Sequence, residues 1–190
     1  MSVIFLAGVH GVGKGYVGAP AAQTLGFSHF TASQIIREEK GQATWGTDKN
    51  TSDLDDNQLA LICAVSQRRV THKNILLDGH FVLRNAQGVL TQLETNVFRE
   101  LQLTGVILLT EESNVIASRL ATRDKGETDV DAISELAKAE LAHARRVCQE
   151  LGLPLDINFR YFRMQAIGNR NVNQTIFATQ RNCRFGAVVR

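Results

Sequence analysis

Apolar residues along this chain follow two rhythms. Short unbroken runs occur at residues 3–7, 75–77 and 105–109. Runs of that kind, without polar alternation, predict strands buried on both faces, as in a parallel sheet. Weaker runs at 27–31 and 153–158 add two further strands. Between them the apolar positions recur every three or four residues, the period of a helix with one buried face. Helices are predicted over 14–25, closed by Gly26, and from Ser33 as cap, with Ile35 and Ile36 inward. Another starts at Asp56 or Asn57 and runs to about Arg69, with Leu59, Leu61, Ile62 and Val65 on its apolar face. Leu90, Leu93, Val97 and Leu101 predict a helix over 90–101. Val115, Ile116 and Leu120 predict one over 111–123, and a long helix spans 130–151, ended by Gly152.

Strand and helix alternate throughout. That order specifies an α/β fold, a three-layer doubly wound parallel sheet of five strands. The stretch 41–56, polar and holding the single Trp45, reads as a mobile loop. Residues 1–158 form the domain on this reading, and 159–190 a separate tail.

The first strand leads into Gly8-Val9-His10-Gly11-Val12-Gly13-Lys14-Gly15. Strand, glycine-rich loop, lysine and helix start match the phosphate-loop pattern up to Lys14, which makes the fold one of P-loop NTPase type. Glycines let the backbone aim successive N–H groups into one hollow. The helix N-terminus adds a positive dipole end, and Lys14 a point charge able to reach between two phosphates. The hydroxyl that usually follows the lysine and holds Mg²⁺ is replaced by Gly15 and then Tyr16. Gly18 and Pro20 are poor formers of the helix they sit in. In the third strand Ile75-Leu76-Leu77 ends on Asp78-Gly79-His80. A carboxylate at the carboxyl end of a parallel strand lies where open α/β sheets place ligands, and there it can hold Mg²⁺ through water. The competing reading is a strand-ending turn.

Composition narrows the setting. The chain has 190 residues, 44% hydrophobic and 21% charged, and formal net charge +2. No apolar run approaches membrane-span length, so no membrane role is expected. Three widely spaced cysteines, Cys63, Cys148 and Cys183, form neither a metal pattern nor a disulfide framework, which predicts a cytoplasmic setting. The charge is uneven: after Asp156 there are six arginines and no carboxylate. The tail reads as an appendage on the acidic body, as an extension without a role, or as a contact for an acidic partner such as RNA.

Taken together, residues 3–158 resemble the nucleoside monophosphate kinases, adenylate kinases especially. Gly8 to Gly15 resembles their phosphate loop. Thr31-Ala32-Ser33-Gln34-Ile35-Ile36-Arg37 resembles the opening of their monophosphate-binding helix, and Leu76-Leu77-Asp78-Gly79 their strand ending in Asp-Gly. Ser118-Arg119-Leu120-Ala121-Thr122-Arg123 resembles the helix leading into their lid. This chain departs from the family after Gly79, where His80-Phe81-Val82 replaces Phe-Pro-Arg and the nearest arginine is Arg84.

The resemblance implies ATP-dependent phosphoryl transfer to a small acceptor, a nucleoside monophosphate, with ATP and Mg²⁺ as cofactors. Gly8, His10, Gly11, Val12, Gly13, Lys14, Gly15 and Tyr16 would hold the nucleotide, and Asp78 the hydrated Mg²⁺. Lys14, Asp78, Arg119 and Arg123 would serve the transfer, since positioning and charge neutralisation carry this chemistry. Arg37, His80 and Arg84 would meet the acceptor. Residues 41–56 would lie on the acceptor side, and 124–130 would be a short lid. Two alternatives stay open: a nucleotide-binding module with little or no catalysis, and a kinase of a polynucleotide or another small metabolite.

Overall fold

The computed structural model describes residues 1–41, 52–85, 87–124 and 129–157. The expectations for Trp45, for most of the 124–130 lid and for the 159–190 tail lie outside them. Five strands form one parallel sheet. They are β1 (Ser2–Ala7), β2 (Ser28–Thr31), β3 (Asn74–Asp78), β6 (Gly105–Leu108) and β7 (Leu155–Asp156), in the order β2-β3-β1-β6-β7. A hairpin of β4 (Val82–Arg84) and β5 (Leu90–Gln92) stands apart from it.

Helices cover both faces, which explains the unbroken apolar runs. Along β1, Val3, Phe5 and Ala7 enter one core, while Ile4 and Leu6 enter the other. The first core is completed by α3 (Ser52–Thr71), α4 (Thr95–Glu100) and α6 (Val130–Leu151). The second packs beneath α1 (Lys14–Leu25) and α5 (Ser113–Asp124). In the first core Phe81 stacks on Phe98 at 4.4 Å, and Phe5 meets both rings edge-on, at 5.2 and 5.6 Å. This aromatic cluster lies under the segment that follows β3.

Three expectations change. The predicted helix over 90–101 is strand β5 followed by the short helix α4. Leu90-Thr91-Gln92 pairs with Val82-Leu83-Arg84, and the Asn85 side chain accepts from the N–H groups of Gln87 and Val89 to turn the chain between them. Here tertiary pairing overrides a helical spacing of leucines. Next, α2 (Ala32–Glu39) is capped by Thr31, whose Oγ1 accepts from Gln34 N at 3.2 Å, and not by Ser33. Finally, α3 begins at Ser52, so the end of the predicted loop is helical.

Helix α1 runs through Pro20. Its Gly18 has a reason: a Cβ there would sit 2.8 Å from Leu6 and 3.1 Å from the His29 ring. The missing side chain lets the helix lie close against β1 and β2.

Candidate active site

Chain order reverses across β1: β2 and β3 lie on one side, β6 and β7 on the other. The carboxyl ends of β1 and β3 therefore open on the crevice of a topological switch point, where α/β folds bind ligands. A cavity of about 950 Å³ occupies it.

The loop after β1 takes the backbone path that its glycines predict. Gly8, Gly11 and Gly13 all have positive φ, and Gly13, at 106°, is the N-cap of α1. Lys14 folds back inside the loop and is only 7% exposed. Its ammonium donates to the carbonyls of Gly8 and Val9 and to His80 Nε2, the last at 3.0 Å. It lies 3.8 Å from Asp78 Oδ1. Burial lowers the Lys14 pKa, against the opposing charges of Asp78 and Glu140. Burial likewise pushes Asp78 up to about 6, with the Lys14 charge pulling the other way.

The structure brings His10, Gly11, Gly13, Lys14, Gly15, Asp78, His80, Arg84, Arg119 and Arg123 to the cavity wall. The rings of His10 and His80 lie 4.3 Å apart. Arg119 braces the loop by donating to Val12 O, at 3.1 Å, and to Glu111. Arg123 faces the cavity while pairing with Asp124 through two bonds of 2.7 Å. Arg84 is held from three sides: by Gly88 O, Ala132 O and the Glu135 carboxylate.

Four predicted residues are not in the wall. Gly8 lies behind it, tied to Glu140 by its N–H. The Val12 side chain is buried in the core below α1. Tyr16 points outward, 76% exposed. Arg37 turns back along α2, its Nε donating to Ser33 O at 3.3 Å. Lys40, one turn further on, lines the cavity in its place, together with Thr31 and Ser33.

Sequence reasoning missed one residue altogether. Glu140 of α6 is 1% exposed. Its two oxygens accept from the backbone N–H groups of Gly8, Phe81 and Val82, at 2.6 to 3.2 Å. The signal was present in the helical period. Ile133, Leu136, Ala144 and Val147 form the buried stripe of α6, and Glu140 falls in the middle of it.

The loop suits a triphosphate: free N–H groups at a helix start, a buried lysine, and an arginine braced against the loop. Asp78 offers a carboxylate for a hydrated cation. Among the described residues no cluster of three acidic, histidine or cysteine side chains stands ready to hold a metal alone.

The sequence pattern of the AAA domain family matches residues 7–137. The chain belongs to that family. The matched span runs from the end of β1 into α6 and takes in every cavity residue named above. Among solved structures, shikimate kinase from Acinetobacter baumannii in complex with shikimate is similar over 95% of each chain. Its identity is 20% and its TM-score 0.62. Shikimate kinase from Bacteroides thetaiotaomicron is similar over 93% of this chain and 98% of its own, at 13% identity and TM-score 0.54. These likenesses show a shared α/β P-loop kinase fold. No match was found among curated proteins. Among the described residues no helix is long and apolar enough to cross a membrane.

Proposed function

We propose that this AAA-domain chain transfers a phosphoryl group from ATP to a small acceptor, and that the acceptor is a nucleoside monophosphate. The observation that carries the transfer is the meeting of Lys14, at the start of α1, and Asp78, at the end of β3, in the wall of one cavity. The phosphate-loop N–H groups and Lys14 would hold the triphosphate. Asp78 would orient hydrated Mg²⁺, which neutralises charge on the phosphates when bound. Arg119 and Arg123 supply positive charge beside the transferred group.

The shape of the cavity supports a nucleotide acceptor. Beyond the phosphate loop its walls include Ile36, Leu83, Phe98 and Leu101, with Asn57 and Gln58 among them. Apolar walls suit the faces of a base, and side-chain amides suit its edge. Thr31 and Ser33 line the cavity where β2 leads into α2, and Lys40, at the far end of α2, offers it a cation for the acceptor's phosphate.

Turnover of MgATP with a panel of nucleoside monophosphates and hydroxy acids, shikimate included, tests this reading. Transfer to at least one monophosphate is expected. Transfer to a hydroxy acid alone would overturn the acceptor class. Tight MgATP binding without any transfer would make the chain a nucleotide-binding module.

A further inference from the structure

We propose that Glu140 is a positioning residue that sets Lys14 against the reacting phosphates by clamping the two segments between which the lysine sits. This rests on the reading of the cavity as a phosphoryl-transfer site.

The argument is one of connectivity. On the first arm, Gly8 N donates to Glu140 Oε1 at 3.2 Å, and the Gly8 carbonyl accepts from Lys14. On the second arm, Phe81 N lies 3.0 and 2.9 Å from the two carboxylate oxygens, and Val82 N lies 2.6 Å from Oε2. Phe81 follows His80, whose Nε2 accepts from Lys14 at 3.0 Å. Both arms that leave Glu140 therefore end on the same ammonium. Asp78, two residues before His80, is the third group beside it.

The Lys14 ammonium and the His10–His80 ring contact also bridge these segments, but Glu140 does so by holding backbone N–H groups of both. Their strands are neighbours in the sheet, with Leu6 opposite Asp78, but that register ends where the loops begin. Glu140 reaches in from α6, a helix of the opposite layer, and ties the two loops beyond the last paired residues.

The chemistry of the clamp requires a carboxylate. Every group facing the two oxygens is an N–H donor, so an acceptor-only side chain is needed. Burial raises the Glu140 pKa, while the N–H groups of Phe81, Val82 and Gly8 and the charge of Lys14 oppose the rise. A glutamine of the same length would turn an NH₂ toward one of these donors and release one arm. An aspartate keeps the charge but is too short to serve both arms in place.

Two variants and a control test the assignment. Glu140→Gln is compared with Val147→Ala, a change on the same helix at a fully buried core position away from the loop. MgATP affinity is measured by calorimetry, turnover by coupled assay, and both well below the melting midpoint of each protein. Glu140→Gln is expected to weaken MgATP binding and to lower kcat, each by tenfold or more. Val147→Ala is expected to lower the midpoint while leaving affinity and kcat within twofold of the native chain. If Glu140→Gln lowers the midpoint but keeps native affinity and kcat, Glu140 is only a structural anchor and the proposal fails. Should that variant not fold, Glu140→Asp is judged by the same criteria. If the native chain phosphorylates no acceptor at all, the proposed reaction fails separately, and the affinity comparison alone decides the role of Glu140.

Discussion

Lys14 Nζ and Asp78 Oδ1 lie 3.8 Å apart, and both side chains are almost dry. Each is costly to bury charged without the other, because removing one partner of such a pair leaves an uncompensated charge. The pair joins the start of α1 to the end of β3, beside the loop where a phosphate would bind. Its two members are the first residues to test.

Lys14→Ala removes a charged donor from the phosphate site. A charge-assisted hydrogen bond to phosphate contributes on the order of 1.5–3 kcal/mol, so ATP affinity should fall by roughly 10- to 150-fold. Calorimetric titration with ATP measures it. Native affinity in a correctly folded variant would mean that the loop does not hold the triphosphate.

Asp78→Asn carries a signature in pH. The folded carboxyl titrates near 6, above the unfolded value of about 3.9. Between these values the native state binds a proton that the unfolded state does not. Stability from this group is therefore present below about pH 4 and lost as pH rises toward 6. Asparagine has no such dependence. The stability of the variant minus that of the native chain should climb by up to about 1.4 kcal/mol per pH unit across that window, and level off above it. The absolute offset also contains the cost of leaving Lys14 without its partner, so the slope and not the offset is compared. Urea unfolding of the metal-free proteins at several pH values gives the slope. A flat difference would mean that the Asp78 carboxyl is not raised by its burial. In turnover, the same variant should lose far more than it loses in metal-free nucleotide binding, because hydrated Mg²⁺ would have lost its carboxylate.

Gly79 follows Asp78, and its role differs from that of a turn residue. A Cβ at position 79 would lie 2.6 Å from the Phe5 ring. Phe5 packs edge-on against both Phe81 and Phe98 and cannot swing away cheaply. Gly79→Ala should destabilise the chain by about 1–3 kcal/mol, the usual cost of forcing atoms into a packed core. Chemical denaturation measures the loss. An unchanged midpoint would show that the aromatic cluster has room to yield.

How much of this was legible beforehand follows from the range of each interaction. The phosphate loop is local: strand, glycines, lysine and helix start are adjacent in sequence, and they fold as the pattern requires. The five-strand parallel sheet followed from apolar runs that need cover on both faces. The β4–β5 hairpin was not legible, because Leu90, Leu93, Val97 and Leu101 imitate one helix while the chain folds as strand, turn and helix. Gly18 looked like a defect in α1 until Leu6 and His29 were seen packed beneath it. Glu140 was hidden because its three partners lie 58, 59 and 132 residues before it, yet a carboxylate on a buried stripe was a visible anomaly. Side-chain direction at the acceptor end was the least legible of all. Arg37 and Lys40 are three apart on one helix, and the sequence does not say which of them faces the cavity.

That last distinction gives a direct test. Arg37 Nε is engaged by Ser33 O, and Arg37 is absent from the cavity wall; Lys40, at the C-terminal end of α2, is in it. If the acceptor's anionic group binds beside α2 within reach of its C-terminal end, Lys40→Ala should raise the acceptor KM, roughly tenfold for the loss of one charged contact at a partly exposed site. The affinity for ATP should stay near native, since Lys14 and the loop would hold the triphosphate elsewhere. Arg37→Ala should change neither constant by more than about twofold, as expected for a surface substitution that removes no ligand contact. Steady-state kinetics with both substrates varied separates these effects. A large rise in acceptor KM for Arg37→Ala, with Lys40→Ala silent, would mean that the arginine leaves Ser33 and turns into the cavity when the acceptor arrives. A defect confined to ATP in either variant would place the acceptor at the other end of the cavity, beside Arg84, where the β4–β5 hairpin and α6 already hold a guanidinium in place.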